Sequence, residues 1–186
     1  MCKRIAIIGL GLIGGSMAMA LKGFEDYEIV GVDRDPATLE FARTHGVADY
    51  LSTDAGQAVS TADVVYLCLH PRGIVDFLST YRACFRPGAL VTDVCGIKTA
   101  IVDAATVLPD EVDFIGSHPM AVEVKKRRRK TGPRRCGLDT HQNFEPQTYC
   151  DPPEGRRKTA IIHTSRTARS CLQIFERDRE AHSRFI

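Results

Sequence analysis

The chain has 186 residues, 44% of them hydrophobic and 26% charged, with a formal net charge of +2. That is enough length for one sizeable core, and the balance excludes a wholly disordered or fibrous chain. No apolar run approaches the ~20 residues needed to cross a membrane, so no membrane partner is expected. The seven cysteines, an odd number without CxxC spacing, argue against a secreted disulfide framework and set the cytoplasm as the expected compartment.

The averages conceal a break. Residues 1–121 carry 9 Lys and Arg against 15 Asp and Glu, a net of −6, whereas residues 122–186 carry 16 against 8, a net of +8. The apolar fraction falls from about half to under a third across the same point. Two units are therefore expected, 1–121 and 122–186.

In chain order, Lys3–Leu10 reads as a buried strand, a short apolar run that stops at glycine. Four glycines interrupt Ile5–Leu21, which favours strand, turn and helix over a signal peptide. Ser16–Lys22 has helix-forming Met, Ala and Leu. Glu28–Asp33 is a second β-rich run ending in a carboxylate. Pro36–His45 predicts a helix with Asp35 as N-cap, Pro36 at its first position and Gly46 closing it. Asp49–Tyr50 is a short third strand and Thr53–Ser60 a short helix. Asp63–Leu69 is a continuous apolar strand ending at His70 and Pro71. An amphipathic helix over Gly73–Cys84, a strand over Ala89–Asp93, a helix over Thr99–Leu108 and a strand from Asp113 to Ile115 follow, leading into Gly116-Ser117-His118-Pro119.

Strands apolar on both faces, alternating with helices, specify a parallel sheet covered on both sides. The fold class is α/β, a Rossmann-type doubly wound parallel sheet, followed by a largely irregular or disordered basic tail. Ligands of such sheets bind at the carboxyl ends of the strands. Gly9, Gly11, Asp33, His70, Asp93 and His118 all fall there.

Gly9-Leu10-Gly11-Leu12-Ile13-Gly14 matches G-x-G-x-x-G. The first glycine permits the tight turn, the second lets the backbone approach a diphosphate, and the third lets helix pack on strand. The helix that follows offers open N–H groups, including those at Leu12 and Ile13. Asp33 lies 19 residues past Gly14, the separation at which a carboxylate accepts from ribose hydroxyls. Asp33 would repel a 2′-phosphate, so NAD is the expected cofactor. Arg34 beside it offers the route to NADP if it clamps that phosphate; otherwise it is a solvated surface residue.

Three segments carry a resemblance. IAIIGLGLIGGSM at 5–17, TDVCGIKT at 92–99 and GSHPMA at 116–121 resemble the prephenate dehydrogenase family in order and separation, over Lys3–Ala121. In that family the histidine of the last box accepts a hydrogen bond from the substrate's ring hydroxyl. Hydride leaves the same carbon for nicotinamide and the ring carboxylate departs as CO2. The resemblance makes His118 the catalytic residue, and a neutral imidazole suits proton removal near pH 7. Leu69 then lines the cofactor, while His70 reads as a loop residue rather than a base. Asp93, Cys95, Gly96, Lys98 and Ser117 belong to the segments bordering nicotinamide and substrate. Many members carry glycine-serine where this chain has Cys95-Gly96, so a hydroxyl that polarises the substrate is missing, and nothing marks Cys95 as a nucleophile. Lys98 either serves the site or simply begins a helix. No metal is expected.

Past Ala121 the resemblance stops. Val122-Glu123-Val124 and the basic run Lys125–Lys130 stand where the family continues into more sheet and a helical dimerisation domain that supplies substrate-binding arginines. Four readings of 122–186 remain open: a zinc site from its scattered Cys and His, a nucleic-acid-binding arm, a disordered extension, or the product of a frameshift or misassembled gene. The resemblance implies NAD(P)-dependent oxidative decarboxylation of prephenate or its amino analogue arogenate, in tyrosine synthesis, by a homodimer. Without the helical domain, cofactor binding with little turnover is expected, and dimerisation is not. The competing class is a non-catalytic nucleotide-binding module with a nucleic-acid-binding tail.

Overall fold

The computed structural model describes residues 2–119 and 160–164. Seven strands and five helices lie within them: β1 Lys3–Ile8, α1 Leu12–Leu21, β2 Tyr27–Val32, α2 Pro36–Thr44, β3 Tyr50–Ser52, α3 Ala55–Thr61, β4 Val64–Leu67, α4 Pro71–Tyr81, β5 Leu90–Asp93, α5 Thr99–Ala105, β6 Asp113–Pro119 and β7 Ala160–Thr164. The strands form one sheet in the order β3-β2-β1-β4-β5-β6-β7, and every pairing is parallel. The Rossmann-type doubly wound sheet is therefore observed.

Both faces of the sheet are packed because side chains alternate across each strand. Ile5 and Ile7 of β1 join Met17 and Leu21 of α1 and Leu39 and Ala42 of α2 in one core. Ala6 and Ile8 point the other way and join Val59 of α3, Ile74 and Leu78 of α4 and Ile101 of α5 in a second. Burial on both sides explains why β1 and β4 read as unbroken apolar runs rather than alternating ones. The order reverses between β1 and β4. Helices leave this point toward opposite faces, which opens a crevice above the two strand ends.

Helix α2 forms as its capping residues dictate. The Asp35 carboxylate accepts from the amides of Ala37 at 3.1 Å and Thr38 at 3.3 Å. Hydrogen bonding, first from the Thr38 hydroxyl and then from the Ala37 amide, holds its carboxyl below the ordinary value. Gly46, one residue past the cap, has φ +59°, the left-handed turn that closes many helices.

Several boundaries differ from expectation. Helix α1 starts at Leu12 rather than Ser16, so Gly14 and Gly15 lie inside its first turns. Intrinsic propensity disfavours glycine there, but tertiary packing overrides it: a Cβ on Gly14 would stand 1.8 Å from the carbonyl oxygen of Gly9. The third strand is Tyr50–Ser52 because Asp54, not an earlier residue, caps α3 through the Gln57 amide at 2.9 Å. Helix α4 begins at Pro71, where proline suits the first turn, and α5 ends at Ala105. Strand β6 continues through Pro119, so the strand expected to begin over Asp113–Ile115 takes in the GSHP segment as well. Beyond it the sheet continues across the division expected at Ala121, since β7 is its seventh strand, with His118 registered against His163. The basic run and the remaining Cys and His positions of 122–186 lie outside the described residues. Among the described residues no helix is long and apolar enough to cross a membrane.

The two adjacent glycines of α1 make opposite predictions. Gly14→Ala should lower stability by about 1–3 kcal/mol through overpacking. Gly15→Ala meets only the Leu10 carbonyl oxygen at 3.5 Å, so it should be neutral or stabilising by up to about 1 kcal/mol. Urea denaturation of the two variants checks this.

Candidate nucleotide site

The site begins where β1 ends. Gly9 has φ +92°, a conformation side chains rarely adopt, and a Cβ there would lie 2.7 Å from the Cys68 carbonyl oxygen. Its amide donates to the Val32 oxygen at 2.8 Å, locking the turn onto β2. Gly14 seats α1 against the same turn. At Gly11, by contrast, nothing stands within 4 Å of a built Cβ, so the main chain faces open space. Gly11 is also the N-cap of α1 and supplies no side-chain acceptor to the first helical amides. Those amides and the positive end of the helix dipole are left for an anion. Leu12 is 94% exposed and Ile13 55%, so the peptide groups between them border solvent.

Asp33, at the end of β2, holds this turn from the side. Its Oδ2 accepts from the Leu10 amide at 2.9 Å and its Oδ1 from the Asp35 amide at 3.0 Å. Each carboxylate oxygen has two lone-pair directions, so both retain capacity for a ligand hydroxyl. Arg34 is exposed beside it.

A second group lies at the ends of β4, β5 and β6. Leu69 is half-buried, and its carbonyl oxygen receives the Cys95 thiol at 3.3 Å. His70 is the N-cap residue of α4 without a side-chain cap bond; its carbonyl accepts from the Ile74 amide at 3.0 Å. It starts helix α4 rather than lying in a loop. Asp93 is fully buried. It accepts from the Cys95 amide at 2.9 Å, from Lys98 Nζ at 2.5 Å and from the Ser117 amide at 3.3 Å. Lys98 also donates to the Ser117 carbonyl oxygen, and the Ser117 hydroxyl donates to the Asp93 carbonyl oxygen. Gly96 is exposed at the tip of the loop between these contacts.

Gly9, Gly11, Gly14 and Asp33 thus form one constellation, and Asp93, Cys95, Lys98 and Ser117 another, linked to Leu69 through the Cys95 thiol. His118 follows Ser117 directly on β6. Sequence reasoning missed that Lys98 turns back onto Asp93 and Ser117. The only available signal was the Asp-to-Lys spacing across one loop. Lys98 is indeed the N-cap residue of α5, and its side chain nevertheless bridges two strands.

Neither site cysteine is set up as a nucleophile. Burial pushes the Cys68 thiol up to about 12, with the nearby Cys95 and Asp93 adding to it. Burial and then the Asp93 charge raise Cys95.

A family model described as the prephenate dehydrogenase nucleotide-binding domain matches residues 17–128. A prephenate dehydrogenase of Lactococcus lactis is 36% identical over 124 residues, which is 64% of this chain and 34% of the relative. A cyclohexadienyl dehydrogenase of Zymomonas mobilis is 31% identical over 121 residues, 64% of this chain and 41% of the relative. Among solved structures, arogenate dehydrogenase of Synechocystis superposes with a TM-score of 0.58 at 35% identity, over 65% of this chain and 42% of that one. Prephenate dehydrogenase of Aquifex aeolicus, in complex with hydroxyphenyl propionate and NAD+, gives 0.57 at 27% identity, over 67% and 44%. The chain spans between 33% and 41% of the length of the curated relatives it matches.

Thiol chemistry checks the electrostatics of the site. With iodoacetamide at pH 8, native Cys68 should be alkylated at least ~100-fold more slowly than exposed Cys2, because only the thiolate reacts. The Cys68 rate should still be climbing with pH at ~11. Site-resolved peptide mass spectrometry reads both rates.

Proposed function

The chain belongs to the prephenate dehydrogenase family through its nucleotide-binding domain, and from that premise we propose that it binds NAD(H) in the turn after β1 and carries the proton-accepting half of a prephenate dehydrogenase site. The observation that supports this best is the Gly11 opening above uncapped α1 amides, with the Asp33 carboxylate fixed beside it. A diphosphate fits the first, and the hydroxyls of the neighbouring ribose fit the second.

In this reading Gly9, Gly11 and Gly14 shape the turn, and the main chain at Leu12 and Ile13 contacts the diphosphate. Asp33 accepts from the ribose and favours NAD over NADP; Arg34 is the residue through which NADP would enter. Leu69 borders the nicotinamide. Asp93, Cys95, Gly96, Lys98 and Ser117 frame the space between nicotinamide and substrate. Bound NAD+ supplies the hydride acceptor. His118, as a neutral imidazole, accepts the proton of the substrate's ring hydroxyl as that carbon becomes a carbonyl. Loss of the ring carboxylate as CO2 then leaves the aromatic product, 4-hydroxyphenylpyruvate in the case of prephenate. The substrate is prephenate or arogenate, and the step belongs to tyrosine synthesis in the cytoplasm.

Residues 1–121 form the cofactor domain in this reading, and residues 122–186 a basic segment that donates β7. The proposal gives residues 1–121 the cofactor affinity. The three cysteines of 122–186 carry no metal role here, and its basic run no required nucleic-acid partner.

Calorimetry with NAD+ and NADP+ tests the cofactor, and NADH formation with prephenate and with arogenate tests the reaction. NAD+ should bind the more tightly, and Asp33→Ala should weaken it by about tenfold, a loss of ~1.4 kcal/mol. His118→Asn should leave NAD+ affinity unchanged while lowering hydride transfer by roughly 10²–10⁴-fold. Failure of folded protein to take up either nucleotide removes the proposal. Salt-sensitive DNA binding that disappears when 122–186 are deleted would favour the non-catalytic module instead.

A further inference from the structure

The pair formed by Asp93 and Lys98 is buried to a degree unusual for two charges. Asp93 shows no exposed surface and the Lys98 side chain only 10%. Such a pair is weak evidence for stability, since desolvation offsets most of the attraction and apolar replacements often do as well. Its geometry is more telling. Every polar group of Ser117 is held by these two residues: its amide by Asp93 Oδ1, its hydroxyl by the Asp93 carbonyl oxygen, and its own carbonyl oxygen by Lys98 Nζ. That last oxygen belongs to the peptide unit joining Ser117 to His118. Because the unit is planar, fixing its oxygen and the preceding amide fixes the direction in which the chain presents residue 118.

We propose that Asp93 and Lys98 are positioning residues that clamp the Ser117–His118 peptide and so set the course of the main chain into His118. The inference rests on the reading of His118 as proton acceptor. The Asp93 carboxylate also holds the Cys95 amide, so one buried group registers the β5 loop against the end of β6. Lys98 spends two of its three N–H donors inside this clamp and its ammonium is enclosed, which makes it a brace for the peptide rather than a direct contact to an anionic substrate. Catalytic geometry of this kind is sensitive to displacements of ~1 Å, and a carbonyl tethered by a buried ammonium resists them.

The test uses the full chain and NMR signals that a general loss of stability would not move selectively. In Lys98→Met, the Ser117 carbonyl ¹³C resonance should lose its hydrogen-bonded position, the His118 ring resonances should shift, and exchange at the Ser117 amide should rise by about tenfold or more. Exchange in β1 and β2 should change by less than about twofold. Because Lys98→Met leaves a lone buried carboxylate, the double variant Asp93→Asn/Lys98→Met, which removes both charges, should give the same His118 signature if the single variant does not fold. Methylammonium added to Lys98→Ala should restore the wild-type Ser117 and His118 signals. Wild-type signals at both residues in the variants, or exchange that rises uniformly through β1–β6, would overturn the clamp. Calorimetry with NAD+ on the wild-type chain separates this from the functional reading, since absent cofactor binding would remove that reading while leaving the NMR outcome to be judged by itself.

Discussion

The structure depends on how closely α1 can lie against the turn that ends β1. With no side chain at Gly14, the first helical turn rests on the Gly9 carbonyl, where a Cβ would stand at 1.8 Å. That contact fixes the helix axis relative to the sheet and so fixes where its open amides point. Gly9 makes the approach possible by adopting φ +92° beneath the Cys68 carbonyl at the end of β4. The turn, the helix start and the strand on the other side of the crevice are therefore one packed unit. An anion site there is a consequence of backbone geometry and needs no cationic side chain.

The second constellation solves a different problem by different means. The loop after β5 and the end of β6 are joined by a buried ion pair as well as by the β5–β6 ladder. Asp93 is the centre of this arrangement because a carboxylate can accept several donors at once: a backbone amide from its own loop, an amide from the neighbouring strand and an ammonium. The Cys95 thiol then ties that loop to the Leu69 carbonyl. In this way the β5 and β6 ends are coupled to the crevice between β1 and β4, although the two groups of residues come from opposite ends of the described chain.

Much of this was legible in the residues. The apolar runs of β1, β4 and β5 and the caps Asp35 and Gly46 carry strong local signals, and the order of glycine turn and distant carboxylate follows from topology. The start of α1 was not legible, because glycine propensity points away from helix and only the packing of Gly14 on Gly9 reverses it. Nor was the extent of β6. Ile115, Gly116, Ser117, His118 and Pro119 all pair with β7, a strand some forty residues further along the sequence. The Asp93–Lys98–Ser117 clamp escaped for a related reason. Each residue alone has an ordinary local explanation, and only the sheet order brings β5 and β6 side by side.

The charge of the chain also bears on the site. Residues 1–121 carry −6 within a chain whose net charge is only +2, so net charge gives little long-range attraction for a dinucleotide, and Asp33 stands beside the turn that the diphosphate is proposed to occupy. Affinity must then come from short-range dipoles, which act within the first turn of the helix and are nearly independent of net charge. Asp33 is compatible with this because both of its oxygens are already engaged by main-chain amides, from Leu10 and Asp35. Those donors partly balance its charge, and each oxygen keeps a second lone pair. A hydroxyl, which can donate, gains from such an acceptor; a phosphate, which cannot donate when ionised, only meets its charge. In the proposed site, discrimination at the ribose and tolerance of the diphosphate would thus follow from one carboxylate held by two amides.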